Sequence, residues 1–244
     1  MELYHLHARL PRVRRLTAQA MSDLRDWRAN CSRPYVAWST GKDSTLCLWL
    51  ALQVDPNVEA IYLDAESSLP ETEEMLDTLP AQWGFRLRVV KTRPLLDMLA
   101  QYGLDDPHIE ERTMQATVRE PIKRLRREGY DGVVVGIRAD ESRGRMKGIN
   151  RMGRLFWSKS SGMLTCWPVA RWTSRDVWAY TVANGLPYNR AYDKLLGWPL
   201  EERRVSYWAG ETNRECGRYV WLRRYHPDLY AQLVARLPRV GNFV

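Results

Sequence analysis

The sequence predicts an α/β fold, a doubly wound and mostly parallel sheet with a helical C-terminal elaboration, and three observations predict it. Short apolar runs at 35–38, 58–63 and 133–137 alternate with longer segments of helical spacing. Each run gives way to a polar turn: Ser39-Thr40-Gly41, Asp64-Ala65-Glu66 and Arg138-Ala139-Asp140-Glu141. The 133–137 run, VVVGI, is apolar throughout, as a buried strand should be. Ligands of such open sheets bind outside the carboxyl ends of the strands, where these polar turns fall.

The elements follow in order. Residues 17–30 have helical spacing and precede the first strand. Ser44 is placed to cap the next helix, whose TLCLWLALQV run is too long and too rich in Leu and Ala for a typical strand. Strand 58–63 leads to a helix over 70–82, opened by Pro70 and Glu71. Residues 85–90 alternate like a more exposed strand, and Pro94 opens a helix to about residue 101. Residues 107–128 are expected to be helical in part, with a break or new first turn at Pro121, arginines at the end and a stop at Gly129. The 143–162 segment has no clean period and reads as a mobile loop or irregular hairpin. Thr173 starts a helix that Gly185 stops, and 219–236 hold one or two helices interrupted near His226-Pro227. With no long linker, residues 1–200 are expected to form the α/β domain and 201–244 a helical extension packed on it.

Composition bounds the function. The 244 residues carry 37 Lys and Arg against 29 Asp and Glu, a net +8 that favours an anionic partner without naming one. The charge is local, since 123–154 hold ten basic and four acidic residues. Cysteines at 31, 47, 166 and 216 are too dispersed for a disulfide scaffold, and no run is apolar enough to span a membrane, so a cytoplasmic protein is expected. His5 and His7 would face one way on a strand, but the four histidines show no zinc spacing. Eleven tryptophans accompany only three phenylalanines. They fit either a core and seam of amphipathic rings or platforms for stacked bases.

The strongest local signal is Ser39-Thr40-Gly41-Lys42-Asp43-Ser44 at a strand-to-helix junction. Gly41 permits a tight turn, successive backbone N–H groups can surround a phosphate, and the helix N-terminus adds donors and a favourable dipole. The hydroxyls of Ser39, Thr40 and Ser44 add hydrogen bonds, and Lys42 a point charge. The spacing is not that of a Walker A loop. A purely structural turn has the same residues available to it.

STGKDS at 39–44, YLDAES at 62–67, GYDGVVVGIRADESRGR at 129–145 and CWPVARWTSRDVWAYTVANGLPYNRAYD at 166–193 together resemble the adenine nucleotide alpha hydrolase superfamily, also called PP-loop ATP pyrophosphatases. Within it they resemble the phosphoadenosine phosphosulfate (PAPS) reductase family, which includes the small subunit of bacterial ATP sulfurylase. The resemblance covers about residues 30–195 and implies a Rossmann-like domain that holds an adenine nucleotide: ATP, adenosine phosphosulfate (APS) or PAPS. It implies Ser39, Thr40, Gly41, Lys42, Asp43, Ser44, Asp64 and Gly136 at the nucleotide, with Glu66 beside Asp64. Lys42, Arg138, Glu141 and Arg143 would serve the phosphate or sulfate end. Asp43 would approach Mg²⁺ if the substrate is ATP, and Trp172, Asp176, Trp178, Tyr180, Pro187 and Tyr188 would brace this face.

Arg214-Glu215-Cys216-Gly217 resembles the element in which family reductases without an iron–sulfur cluster carry a cysteine that attacks the sulfonucleotide, a thioredoxin or glutaredoxin then resolving the intermediate. It departs from that pattern in the 28 residues that follow the cysteine. The paired cysteines of the four-iron reductases are absent, so neither an iron–sulfur cluster nor a structural zinc is expected. Two enzymatic readings stand: cleavage of ATP between the α- and β-phosphates to adenylate an acceptor, and thiol-dependent reduction of APS or PAPS through Cys216. A third is a non-catalytic nucleotide or nucleic-acid binder, with residues 143–154 at the phosphates. A homo-oligomer is compatible with each.

Overall fold

A computed structural model describes residues 2–104, 106–198, 203–205 and 217–243. Two N-terminal helices, α1 (Glu2–Ala8) and α2 (Pro11–Ala29), precede β1 (Pro34–Ala37), α3 (Lys42–Leu52), β2 (Glu59–Asp64), α4 (Pro70–Trp83) and β3 (Arg86–Lys91). Next come α5 (Leu95–Tyr102) and a run of α6 (Ile109–Met114), a wider π turn at 115–119 and α7 (Glu120–Arg127). After β4 (Gly132–Val135) come α8 (Arg143–Met152), β5 (Leu155–Ser158), β6 (Met163–Cys166) and α9 (Ser174–Ala183). A 3-10 segment at Arg190–Leu195 and helices α10 (Arg218–Tyr225) and α11 (Pro227–Arg236) complete the elements used below.

The six strands are ordered β3-β2-β1-β4-β6-β5, parallel except for the β5–β6 pair. β1 lies between β2 and β4, with Val36 opposite Ala60 on one side and Val134 on the other. The chain departs in opposite directions from this point, so the carboxyl ends of β1 and β4 flank the crevice of a doubly wound sheet. One face carries the main core, where Leu24, Trp27, Trp38, Leu48, Val134 and Trp172 pack together. A second cluster joins Leu99, Trp178 and Tyr192 to Trp221, Leu222 and Leu233 of the C-terminal helices. Lys194 and Glu71 form an ion pair there, and the Trp221 indole donates to the Lys194 carbonyl at 3.0 Å.

Three expectations need correction. Residues 143–162 are neither a mobile loop nor irregular: α8 starts on a Ser142 cap, whose Oγ accepts the Arg145 N–H at 3.2 Å, and buries Ile149. The chain then forms an antiparallel β5–β6 pair. Ser44 does not cap α3, because the helix begins at Lys42 with Gly41 in the capping position. His5 and His7 lie on helix α1, where His7 meets Asp176 at 2.7 Å. Burial opposes ionisation of Asp176, but hydrogen bonds from Thr173, His7 and Arg12 outweigh it and hold its carboxyl below the usual range. The tryptophans follow the core reading at 27, 38, 172, 178 and 221, all buried, whereas Trp157 is 61% exposed. Trp208 lies outside the described residues.

Candidate functional site

The 39–44 loop turns sharply between β1 and α3, and the turn is strained at one residue. Thr40 adopts φ +57°, in the left-handed region that a side chain with a branched Cβ disfavours. Its hydroxyl is held from two sides. Asn189 donates to Thr40 Oγ1 at 3.1 Å and to Thr72 Oγ1 at 3.0 Å, while Thr40 donates to Thr72 at 3.2 Å. Asn189 Oδ1 accepts the Ala191 N–H, so the amide is engaged at both ends. This buried knot spans the 39–44 loop, the first turn of α4 and the turn after α9.

The loop leaves donors over. Thr45 N–H is the first of α3 to bond back, to the Gly41 carbonyl at 2.9 Å. Ser39 N–H donates to Ser44 Oγ at 3.2 Å, and Lys42 N–H to the Tyr192 hydroxyl at 3.1 Å. The N–H groups of Thr40, Gly41, Asp43 and Ser44 have no acceptor among the described residues. Consecutive donors at a helix N-terminus form a nest for an anion. Tyr192, buried beneath, keeps its proton because burial pushes its phenol upward. Its ring lies 5.8 Å from Lys42 Nζ.

β4 supplies the opposite wall. A Cβ added at Gly136 would stand 2.7 Å from Ser44 N and 2.8 Å from Asp43 C, so the glycine lets the strand end approach the start of α3. Arg138 follows, only 1% exposed, its guanidinium 2.7 Å from Asp43 Oδ1, ion-paired with Asp140 and 4.0 Å from Glu141. The Asp43 contact is ionic without hydrogen-bond alignment, for neither Arg138 Nε nor Asp43 Oδ1 has a hydrogen-bond partner. Burial works against the guanidinium charge, but Asp43, Asp140 and Glu141 outweigh it and raise its pKa. Glu141 also accepts the Arg138 N–H at 3.0 Å, and Asp140 Oδ2 accepts the Ser174 N–H at 2.9 Å.

The other residues singled out from sequence divide into two groups. Lys42, 4% exposed, bonds Asp43 Oδ2 at 2.8 Å and thereby joins the Arg138 cluster. Glu141 is within it as well, and binds Arg145. Arg143 is exposed at the first residue of α8. Asp64 ends β2, where Lys91 reaches it at 2.7 Å and the Glu66 N–H donates to it at 2.7 Å. Cys216 lies outside the described residues. Asn189 and Tyr192 are not singled out by the sequence, and Arg145 only as a cation of the 143–154 segment. Asn189 and Tyr192 were visible only inside the YNRAYD stretch, and nothing local distinguishes them.

Asn189→Ala is expected to destabilise the protein by about 1–3 kcal/mol, the cost of stranding buried hydroxyls, and to weaken anion binding at the loop. Urea unfolding and phosphate titration measure the two effects. If Asn189 serves by holding Thr40, adding Thr40→Gly should restore part of the anion affinity, because glycine enters the left-handed region without strain. No restoration would assign Asn189 to packing alone.

Of the four cysteines, the three described ones are poor nucleophiles. Cys31, Cys47 and Cys166 are buried and free. Burial, reinforced by Asp131, pushes the Cys31 thiol up to about 11, and burial also pushes Cys47 and Cys166 upward. No helix among the described residues is long and apolar enough to cross a membrane.

Comparison with known proteins agrees with this architecture. Residues 33–226 match the family model described as the phosphoadenosine phosphosulfate reductase domain. The chain is 26% identical over 201 residues to the phosphoadenosine 5'-phosphosulfate reductase of Gloeobacter violaceus, covering 75% of this chain and 80% of that protein. It is 24% identical over 202 residues to sulfate adenylyltransferase subunit 2 of Rhizobium meliloti, covering 73% and 67%. A crystal structure of the PAPS reductase from Candida auris, in a phosphate complex, shares the fold with a TM-score of 0.60 at 19% identity, over 80% of this chain and 94% of that one.

Proposed function

Since the chain belongs to the phosphoadenosine phosphosulfate reductase domain family, we propose that it binds an adenine nucleotide at the 39–44 loop and cleaves ATP between the α- and β-phosphates to adenylate an acceptor. The observation that carries this reading is the set of uncommitted N–H groups of Thr40, Gly41, Asp43 and Ser44 at the start of α3, opposite the carboxyl end of β4. Donors fixed before the substrate arrives stabilise the negative charge that gathers on phosphoryl oxygens during transfer. An acceptor oxygen bonds to the α-phosphorus as the bridging P–O bond breaks, and pyrophosphate leaves with that electron pair. Lys42 offsets the phosphate charge once its ammonium turns from Asp43, and Arg138 holds Asp43 in place. Mg²⁺ commonly reaches nucleotide sites through one or two carboxylates plus substrate phosphates. Asp43 is the loop carboxylate that would hold it, but Arg138 faces its Oδ1 at 2.7 Å and Lys42 its Oδ2 at 2.8 Å, so one of these cations would have to turn toward the phosphates first. The ion would neutralise phosphate charge.

Reduction of APS or PAPS is the second reading, and the cysteines favour Cys216 as its nucleophile, since burial disfavours the thiolate at 31, 47 and 166. Its thiolate would attack the sulfur, displace the nucleotide phosphate and leave an S-sulfonated cysteine. A thioredoxin- or glutaredoxin-type dithiol would then release sulfite and become a disulfide. A panel of ATP with Mg²⁺, APS and PAPS, read by thermal shift and by mass spectrometry of products, tests both. Adenylation predicts pyrophosphate from ATP with a suitable acceptor such as sulfate. Reduction predicts sulfite with dithiol, lost in Cys216→Ser. Absence of a thermal shift with all three nucleotides would overturn the shared premise.

A further inference from the structure

We propose that the outward face of α8 docks a single-stranded nucleic acid, laying it along a row of cations that begins beside the nucleotide site. At 100° per residue, Arg143, Met146, Lys147, Asn150 and Arg151 share one side of this helix, and all five are exposed. The opposite side carries Arg145, bound to Glu141, and the buried Ile149. The helix is therefore anchored by one face and presents the other to solvent.

The charges on that outward face are uncompensated. Arg143, Lys147 and Arg151 form no ion pair among the described residues, unlike Arg145 and Arg154, which meet Glu141 and Asp23. No Asp or Glu occurs from 143 to 162, a stretch with six Lys and Arg. Steps of four helical residues space the three cations by about 6 Å, a linear row that suits consecutive charges on an extended strand better than one compact anion. Arg143 immediately follows the Ser142 cap, and Glu141 before it contacts Arg138 of the site wall, so the row starts at the crevice.

Apolar surface beside the cations favours a nucleic acid over an acidic polypeptide. Met146 lies within the row and is 46% exposed. Trp157, the exposed indole, follows on edge strand β5, within about 21 Å of Arg151 by chain length. Unpaired bases stack on such a ring, whereas a duplex keeps its bases inside.

Fluorescence anisotropy of a labelled 12-nucleotide single strand at several salt concentrations tests this. The log–log salt slope is expected near ~2 in magnitude, falling by about 1.4 in Lys147→Gln/Arg151→Gln, for the loss of two phosphate contacts. Affinity at low salt should drop at least about tenfold in that variant. Trp157→Ala should weaken the strand by about fivefold or more and leave inorganic polyphosphate unaffected. Unchanged strand binding in either variant overturns the proposal, as does equal competition by polyphosphate or polyglutamate of matched charge, or preference for a duplex. Thermal shifts with adenine nucleotides, measured on the same variants, separate failure here from failure of the nucleotide reading, because Lys147 and Arg151 take no part in the loop.

Discussion

Arg138→Met is expected to destabilise the protein by about 3–5 kcal/mol, the usual consequence of removing one partner from a buried ion cluster. The side chain is 1% exposed and lies among Asp43, Asp140 and Glu141. Methionine retains much of the bulk but leaves the three carboxylates with only Lys42 on Asp43 and Arg145 on Glu141 to offset them. A second variant separates charge loss from lost packing. Arg138→Lys keeps the positive charge among the carboxylates, so its urea midpoint should fall between those of the wild type and Arg138→Met. Equal losses in the two variants would assign Arg138 to packing. Nucleotide affinity should fall as well, because Asp43 belongs to the first turn of α3.

Gly136→Ala should also cost about 1–3 kcal/mol, through overpacking. The contacts that the new methyl would meet, at 2.7, 2.8 and 3.0 Å, are all backbone atoms of Asp43 and Ser44. A side chain can rotate away, but here α3 itself must move and carry its donors with it. Loss of nucleotide binding should therefore exceed what unfolding explains at a temperature where the variant remains folded. Gly148→Ala is the contrasting case. Nothing lies within 4 Å of its added Cβ, and it sits inside α8, so alanine should stabilise by about 0.5–1 kcal/mol. Calorimetry and nucleotide titration of both variants decide whether the effect at 136 comes from crowding at the crevice.

Much of the sheet was legible because its signals are local. The VVVGI run and the Gly41 turn declare a strand and a strand-to-helix junction from residues that are chain neighbours. α8 was not legible: two glycines and four cations in RGRMKGINRM mask a helix held by the Ser142 cap, Ile149 burial and the Glu141–Arg145 pair. β6 escaped because MLTC is four residues long and buried on both faces, so it shows no alternation. Arg138 was legible as a cation in the right loop, but its enclosure by three carboxylates follows from the approach of β4 to α3. Asn189 and Tyr192 act on the loop from about 150 residues downstream, a separation across which no sequence period extends.

That separation has a consequence for how a ligand is sensed through the chain. The backbone angle of Thr40 and the Lys42 amide are both fixed by side chains of the 189–192 turn. An anion that tightens the nest therefore also resists opening of that turn. Bound nucleotide should slow amide deuteration at residues 189–195 as well as at 39–44, although those later amides need not touch the ligand.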